Sequence, residues 1–130
     1  MGVVLTLPSV RLTGLRAAGI RILAAVDSAA QLLKRDLTVT CGVEGHPPTD
    51  PHTQGAALDL RTKDFLECTV LALVAALKKT LGPDFTVLYE VPSKPLGVLA
   101  SIAYVNPDAT APHVHVQLKR GFGPYPAEGA

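Results

Sequence analysis

The sequence has few of the residues that mark several common protein classes. It has no tryptophan, three tyrosines, three phenylalanines and two cysteines in 130 residues. Cys41 and Cys68 lack the CxxC spacing of cysteine-based zinc sites and are too few for a disulfide framework. We therefore expect both thiols to be reduced and mostly buried. Cys41 lies in the segment that leads to His52. If His52 belongs to a functional site, Cys41 could also have a role there.

The sequence also lacks an excess of charge of either sign. Its 12 basic and 11 acidic side chains give a net charge of +1, which provides no electrostatic basis for binding nucleic acid or a membrane surface. The most apolar stretch, 68–77, is far too short to span a bilayer. The first residues show no secretory signal pattern. We therefore expect a monomer made in the cytoplasm, which would reach any target outside the cell by release or another export route.

Apolar residues make up 48% of the chain, enough for the core of a single domain over 1–130. Apolar periodicity predicts one helix over 15–34, capped by Thr13, and another from Asp64 to about Leu81. Alternating patterns predict five strands, at 37–43, 56–62, 85–91, 98–105 and 113–119. Short turns between the late strands predict an α+β fold with a small central antiparallel sheet and two helices on one face. The tail, 121–130, is expected to be loose.

Three of the four histidines lie in two short stretches, PHTQGAALDL at 51–60 and PHVHVQLK at 112–119. Side chains alternate along a strand, so Asp59 shares a face with Arg61, and His113 shares a face with His115. If the two strands are neighbours, Asp59 and His115 come within about 5 Å of each other. The face opposite the helices is therefore the predicted place for a functional site.

His52 lies at the end of a proline-rich loop, and Gly55 would let the backbone turn so that His52 overhangs the same face. Two imidazoles and one carboxylate form a three-ligand set with an open position, the arrangement of catalytic zinc sites. Such an ion can activate water for attack on a carbonyl. The sequence therefore predicts one zinc ion held by His52, Asp59 and His115. His46, in the same loop, is interpreted as an ordinary loop residue.

The two histidine stretches form one pattern: His52-x-x-Gly55-x-Ala57-x-Asp59, followed by His113-x-His115. This pattern resembles the signature of the LAS metallopeptidases, in particular the branch of D-Ala-D-Ala carboxypeptidases and phage L-alanyl-D-glutamate endolysins. The resemblance spans roughly 38–119 and implies a hedgehog-like fold. It implies a zinc hydrolase of cell wall degradation that cleaves peptidoglycan stem peptides, as an endopeptidase or a D,D-carboxypeptidase. It also implies the same three ligands and places His113 beside the metal as a catalytic residue.

The sequence departs from the family pattern at the position of the general base. Pro112 stands where many relatives carry an acid three residues before the last ligand. The nearest acids along the sequence are Asp108 and Glu90. Glu90 ends a strand with the sequence LYE, as in some small phage relatives, and is the predicted base, with His113 as the alternative.

The sequence also differs from that of the relatives at two further positions. Asp50 replaces the usual serine two residues before His52, and the strand before the loop lacks the arginine that binds a substrate carboxylate. Arg61, on the Asp59 face, is the predicted substitute for that arginine. These departures leave a second interpretation open, in which the chain is a catalytically inactive metal-holding binding module or a phage structural component of the same fold.

Overall fold

A computed structural model of the protein describes residues 2–45, 50–52 and 54–119. Within these residues the chain forms two helices, α1 (Ala17–Leu33) and α2 (Glu67–Leu81). The strands are β1 (Val4–Thr6), β2 (Leu37–Cys41), β3 (Ala57–Arg61), β4 (Phe85–Val91), β5 (Ala103–Val105) and β6 (His113–Leu118). The predictions for His46 and for the tail at 121–130 fall outside the described residues.

The six strands form one sheet in the order β1-β2-β3-β6-β4-β5. The α+β class is confirmed, and β2, β3, β6 and β4 pair antiparallel as predicted. The prediction was wrong at the two edges, where β1 pairs parallel with β2 and β5 pairs parallel with β4. Parallel neighbours need a crossover connection, which α1 and a 3-10 helix (Gly97–Ser101) supply. That 3-10 helix also interrupts the single strand predicted over 98–105.

Both helices pack against one face of the sheet, where α1 contacts β3 and β6, and α2 contacts β4. Leu58 and Leu60 of β3, with Val114 and Val116 of β6, have no exposed surface and belong to the core between helices and sheet. Because side chains alternate along a strand, the residues between them project from the opposite face. Neither helix, nor any other helical segment in the described ranges, is long and apolar enough to cross a membrane.

The starts of both helices differ from prediction. The residue before α1 is Arg16, not Thr13, and its N–H donates to the carbonyl of Gly55 at 3.0 Å. The residue before α2 is Leu66, while Asp64 lies in the preceding turn with a φ of 69°. In both cases tertiary contacts or turn geometry determine where the helix begins, so a capping residue type alone was a poor guide.

Gly55 fixes the position of the turn that carries His52. Its φ of 72° lies in the left-handed region, and its N–H donates to the carbonyl of His52 at 3.0 Å. A Cβ atom on Gly55 would collide with the carbonyl of Gly14, and one on Gly19 of α1 would collide with the carbonyl of Gly55. The two glycines therefore let α1 pack directly against the His52 turn.

Candidate metal centre

The sheet register brings the predicted site residues together on the face opposite the helices. β3 and β6 pair with Asp59 opposite His115 and Arg61 opposite His113. On the other side of β6, Glu90 of β4 lies opposite His113. One face of three adjacent strands thus carries a carboxylate, two imidazoles, a second carboxylate and a guanidinium group.

His52, Asp59 and His115, which we call the ligand triad, point one atom each towards a common centre. His52 Nε2 lies 3.3 Å from Asp59 Oδ1 and 3.3 Å from His115 Nδ1. His115 Nδ1 lies 2.7 Å from the same Asp59 oxygen. Around a tetrahedral ion with ligands at about 2.0–2.1 Å, neighbouring ligand atoms are about 3.3 Å apart. Two of the three separations match this value, and the 2.7 Å separation between His115 and Asp59 would have to lengthen to reach it. The triad is therefore close to the spacing that a small metal ion needs.

The outward-facing nitrogens of both triad histidines already have partners. His52 Nδ1 donates to the carbonyl of Gly42 at 3.1 Å, and His115 Nε2 donates to Oε1 of Gln117 at 2.8 Å. The 2.7 Å contact between His115 Nδ1 and Asp59 Oδ1 is a hydrogen bond, in which His115 Nδ1 donates. Loss of that proton leaves lone pairs on both inner nitrogens facing Asp59, and a metal ion can then take the place of the proton. Metal-ligating histidines are commonly oriented by outer hydrogen bonds such as those to Gly42 and Gln117.

The electrostatics of the triad favour an ionised Asp59. Burial opposes this form, but hydrogen bonds and charge from His115 and His52 hold the pKa of Asp59 well below its ordinary value. Burial also opposes protonation of His115, yet its hydrogen bond to Asp59 raises the pKa of the imidazole. The side chains of Asp59 and His115 stay 14% and 13% exposed, whereas that of His52 is 4% exposed. The triad is therefore buried on the His52 side and open to a ligand on the other.

Cys41 adds a further metal-binding group beside the triad. It pairs with Asp59 across β2 and β3, and its Sγ and the ligand atoms of His52 and Asp59 all lie within 4.8 Å of one another. These three residues could hold a metal ion, and they share His52 and Asp59 with the ligand triad. Burial, with the charges of Asp59 and Glu44, raises the pKa of the Cys41 thiol to about 12. Without a metal ion the thiol therefore stays protonated.

His113 and Glu90, which we call the His113–Glu90 pair, lie next to the triad. His113 Nε2 is 2.8 Å from Glu90 Oε1 and 3.9 Å from Asp59 Oδ2. His113 Nδ1 donates to the carbonyl of Ala111 at 2.9 Å. The contact with Glu90 therefore holds a proton between Nε2 and Oε1. Both side chains are 17% exposed, so the pair is accessible to a ligand bound at the triad.

Two acidic residues support the site from the loops around His52. Asp50 Oδ1 accepts the N–H of His52 at 2.8 Å, a role open to the serine that it replaces in the family pattern. Glu44 Oε1 accepts the N–H groups of Arg11 at 2.8 Å and Gly42 at 3.1 Å. Sequence reasoning missed Glu44 and Gly42, because the contacts of Glu44 with Arg11 and of Gly42 with His52 depend on the fold and follow no local pattern.

Comparisons with protein-family models, with curated proteins and with solved structures give no match for this chain. The resemblance to the LAS metallopeptidases therefore stays a prediction from the residue pattern. The support for roles of the triad, of the His113–Glu90 pair and of Arg61 is the geometry of these residues.

Proposed function

We propose that the protein is a zinc-dependent peptidase that cleaves peptidoglycan stem peptides, as an endopeptidase or a D,D-carboxypeptidase. The observation that carries this proposal is the convergence of His52 Nε2, Asp59 Oδ1 and His115 Nδ1, at 2.7 to 3.3 Å from one another. The LAS-like pattern of the same residues supports the substrate class. The proposal is for a single zinc ion per chain.

The donor set favours zinc over magnesium and calcium. Two imidazoles and one carboxylate suit zinc, whereas magnesium and calcium prefer oxygen ligands alone. Three protein ligands also leave a coordination position free, as in catalytic zinc sites. Bound there, zinc supplies Lewis-acid polarisation of a carbonyl and activation of water at neutral pH.

The His113–Glu90 pair supplies the proton transfer. Glu90 is the proposed general base, and His113 stabilises charge on the substrate carbonyl oxygen or relays the proton. His113 Nε2 is within 3.9 Å of Asp59 Oδ2, so the pair borders the open side of the triad. Pro112 cannot act as a base, whereas Glu90, on the adjacent strand, contacts His113 beside the triad. This contact supports Glu90 as the proposed base.

The test combines metal analysis with digestion of muropeptides. We expect the wild type to bind one zinc ion and to release peptide fragments detectable by mass spectrometry. His115→Ala should bind no zinc at stoichiometric concentration and should release nothing, because it removes a ligand. His113→Ala is the matched control: it removes an imidazole from the same face of β6 and should keep its zinc. Full zinc content in His115→Ala would rule out the ligand assignment.

The second candidate is a metal-holding binding module without turnover. The observation that favours it is the absence of an acid at position 112, where Pro112 stands. This alternative predicts zinc binding and affinity for muropeptides with no fragments released. One bound zinc ion per chain, together with intact muropeptides after digestion, would therefore reject the peptidase and retain the module.

A further inference from the structure

The face of the sheet that carries the triad continues onto β4 and β5, where it presents two large apolar side chains. Leu88 of β4 lies directly opposite His115 of β6. Tyr104 of β5 lies beside Glu90 of β4, which itself faces the site. Because directly paired residues of neighbouring strands point to the same face of a sheet, both side chains lie on the face of the triad. We call Leu88 and Tyr104 the apolar strip.

The apolar strip is accessible, unlike the apolar residues of β4 that face the helices. Tyr104 is 53% exposed and Leu88 is half-buried. Val87 and Tyr89, the neighbours of Leu88 along β4, point to the opposite face and belong to the core. An aromatic ring combines a large apolar surface with few rotatable bonds, so an exposed ring is an effective contact surface. The strip therefore offers apolar contact area directly beside the triad and the His113–Glu90 pair.

We infer that the apolar strip binds a long aliphatic side chain of the substrate peptide, on a residue close to the bond that is cut. This inference rests on the proposed peptidase function and names a feature of its substrate. Neighbouring strands lie about 4.8 Å apart, so the strip extends about 5 to 10 Å from the strand that carries His115. The methyl group of an alanine is too short to reach across it. In a stem peptide the diamino acid, such as lysine, carries a side chain long enough to contact both residues of the strip.

The probes are three synthetic stem pentapeptides that differ only in the third residue, which is lysine, norleucine or alanine. Norleucine keeps the aliphatic chain of lysine but lacks its ammonium group, whereas alanine lacks the chain. Binding is measured by calorimetry on the zinc-loaded full chain carrying Glu90→Gln, a change of equal size that removes the proposed base and keeps both residues of the strip. Cleavage of each peptide is measured separately with the wild type.

The lysine and norleucine peptides should bind about tenfold more tightly than the alanine peptide. A fully buried methylene group contributes about fourfold to affinity, and the strip covers the side chain from one side only. The three methylene groups that norleucine adds to alanine therefore contribute less than their full product. The added substitution Tyr104→Ala should remove most of this advantage, while binding of the alanine peptide and the zinc content should stay unchanged.

Val105→Ala is the matched control for Tyr104→Ala. Val105 follows Tyr104 on β5 and is 44% exposed, but it pairs with the core residue Val91, so its side chain points to the other face. This variant should bind all three peptides as before. Leu88→Ala, a second variant, removes the other residue of the strip and should reproduce the pattern of Tyr104→Ala. Unchanged zinc content in Leu88→Ala checks that His115 keeps its place.

The outcomes separate this inference from the peptidase proposal. Equal binding of all three peptides, or binding of the norleucine peptide as weak as that of the alanine peptide, overturns the inference even if the wild type cleaves each peptide. An equal loss of binding in Tyr104→Ala and Val105→Ala overturns it as well. A norleucine advantage that disappears in Tyr104→Ala, without cleavage by the wild type, retains the apolar strip and rejects the peptidase.

Discussion

The ligand triad and the His113–Glu90 pair share strand β6 but differ in chemistry. His115 faces Asp59 of β3 at 2.7 Å, while His113, two residues earlier on the same face, contacts Glu90 of β4 at 2.8 Å. His115 and His52 also have their outer nitrogens engaged, so three donors converge on one point. His113 instead shares a proton with a single carboxylate. Both histidines have the same neighbouring strands, so the residues paired opposite them distinguish the two: Asp59 for His115, and Glu90 for His113.

The largest effect that would separate the two clusters is expected from Glu90→Gln. If Glu90 accepts the proton, muropeptide cleavage should fall by about 10²- to 10⁴-fold. Zinc content should stay at the wild-type level, because the contact of Glu90 is with His113 and not with a triad residue. Steady-state cleavage and metal analysis on the same samples check both expectations.

The control for that substitution is Asp108→Asn, at the other acid near the last strand. Asp108 is exposed, and its N–H donates to the side chain of Asn106, so its carboxylate should be dispensable for cleavage. Loss of zinc in Glu90→Gln would show that the two clusters are one metal site. Unchanged cleavage would transfer the role of base to another group.

An intermediate effect is expected from Glu44→Ala, which acts on the triad through the backbone. Glu44 accepts the N–H of Gly42, whose carbonyl orients His52. Without this carboxylate the Gly42 carbonyl is less fixed, and zinc affinity should fall about tenfold, at the low end for an outer partner of a metal ligand. Competition with a chelator measures this affinity. Glu67→Ala, at an exposed acid of α2, should leave it unchanged, and an equal loss in both variants would refute a specific role for Glu44.

The central strands were predictable because alternation is a local property of the backbone. The pattern of apolar and polar residues in β3 and β6 showed which side chains share a face, and from that Asp59 and His115 could be placed side by side. The edges were less predictable. β1 has only three residues, too few to show alternation, and its partner depends on how α1 crosses the sheet. The contacts of Glu44 join loops 33 residues apart, which no local pattern can reveal.

Cys41 shows the same limit within the site itself. A register shift in β2 lies between Val39 and Cys41, so simple alternation could not tell which neighbour Cys41 would face. The structure places it opposite Asp59, with Sγ within 4.8 Å of the ligand atoms of His52 and Asp59.

The smallest effect is expected from Cys41→Ser. A zinc–sulfur bond of about 2.3 Å would put Sγ about 3.5 Å from the other ligand atoms, and the triad already offers three donors without it. Zinc affinity should therefore change by less than the roughly tenfold cost of losing an outer partner. The cobalt-substituted wild type should show no thiolate-to-cobalt charge-transfer absorption. If that absorption is present and disappears in Cys41→Ser, the protein supplies four ligands, as in structural zinc sites. The open position that the peptidase proposal needs would then be filled by Cys41.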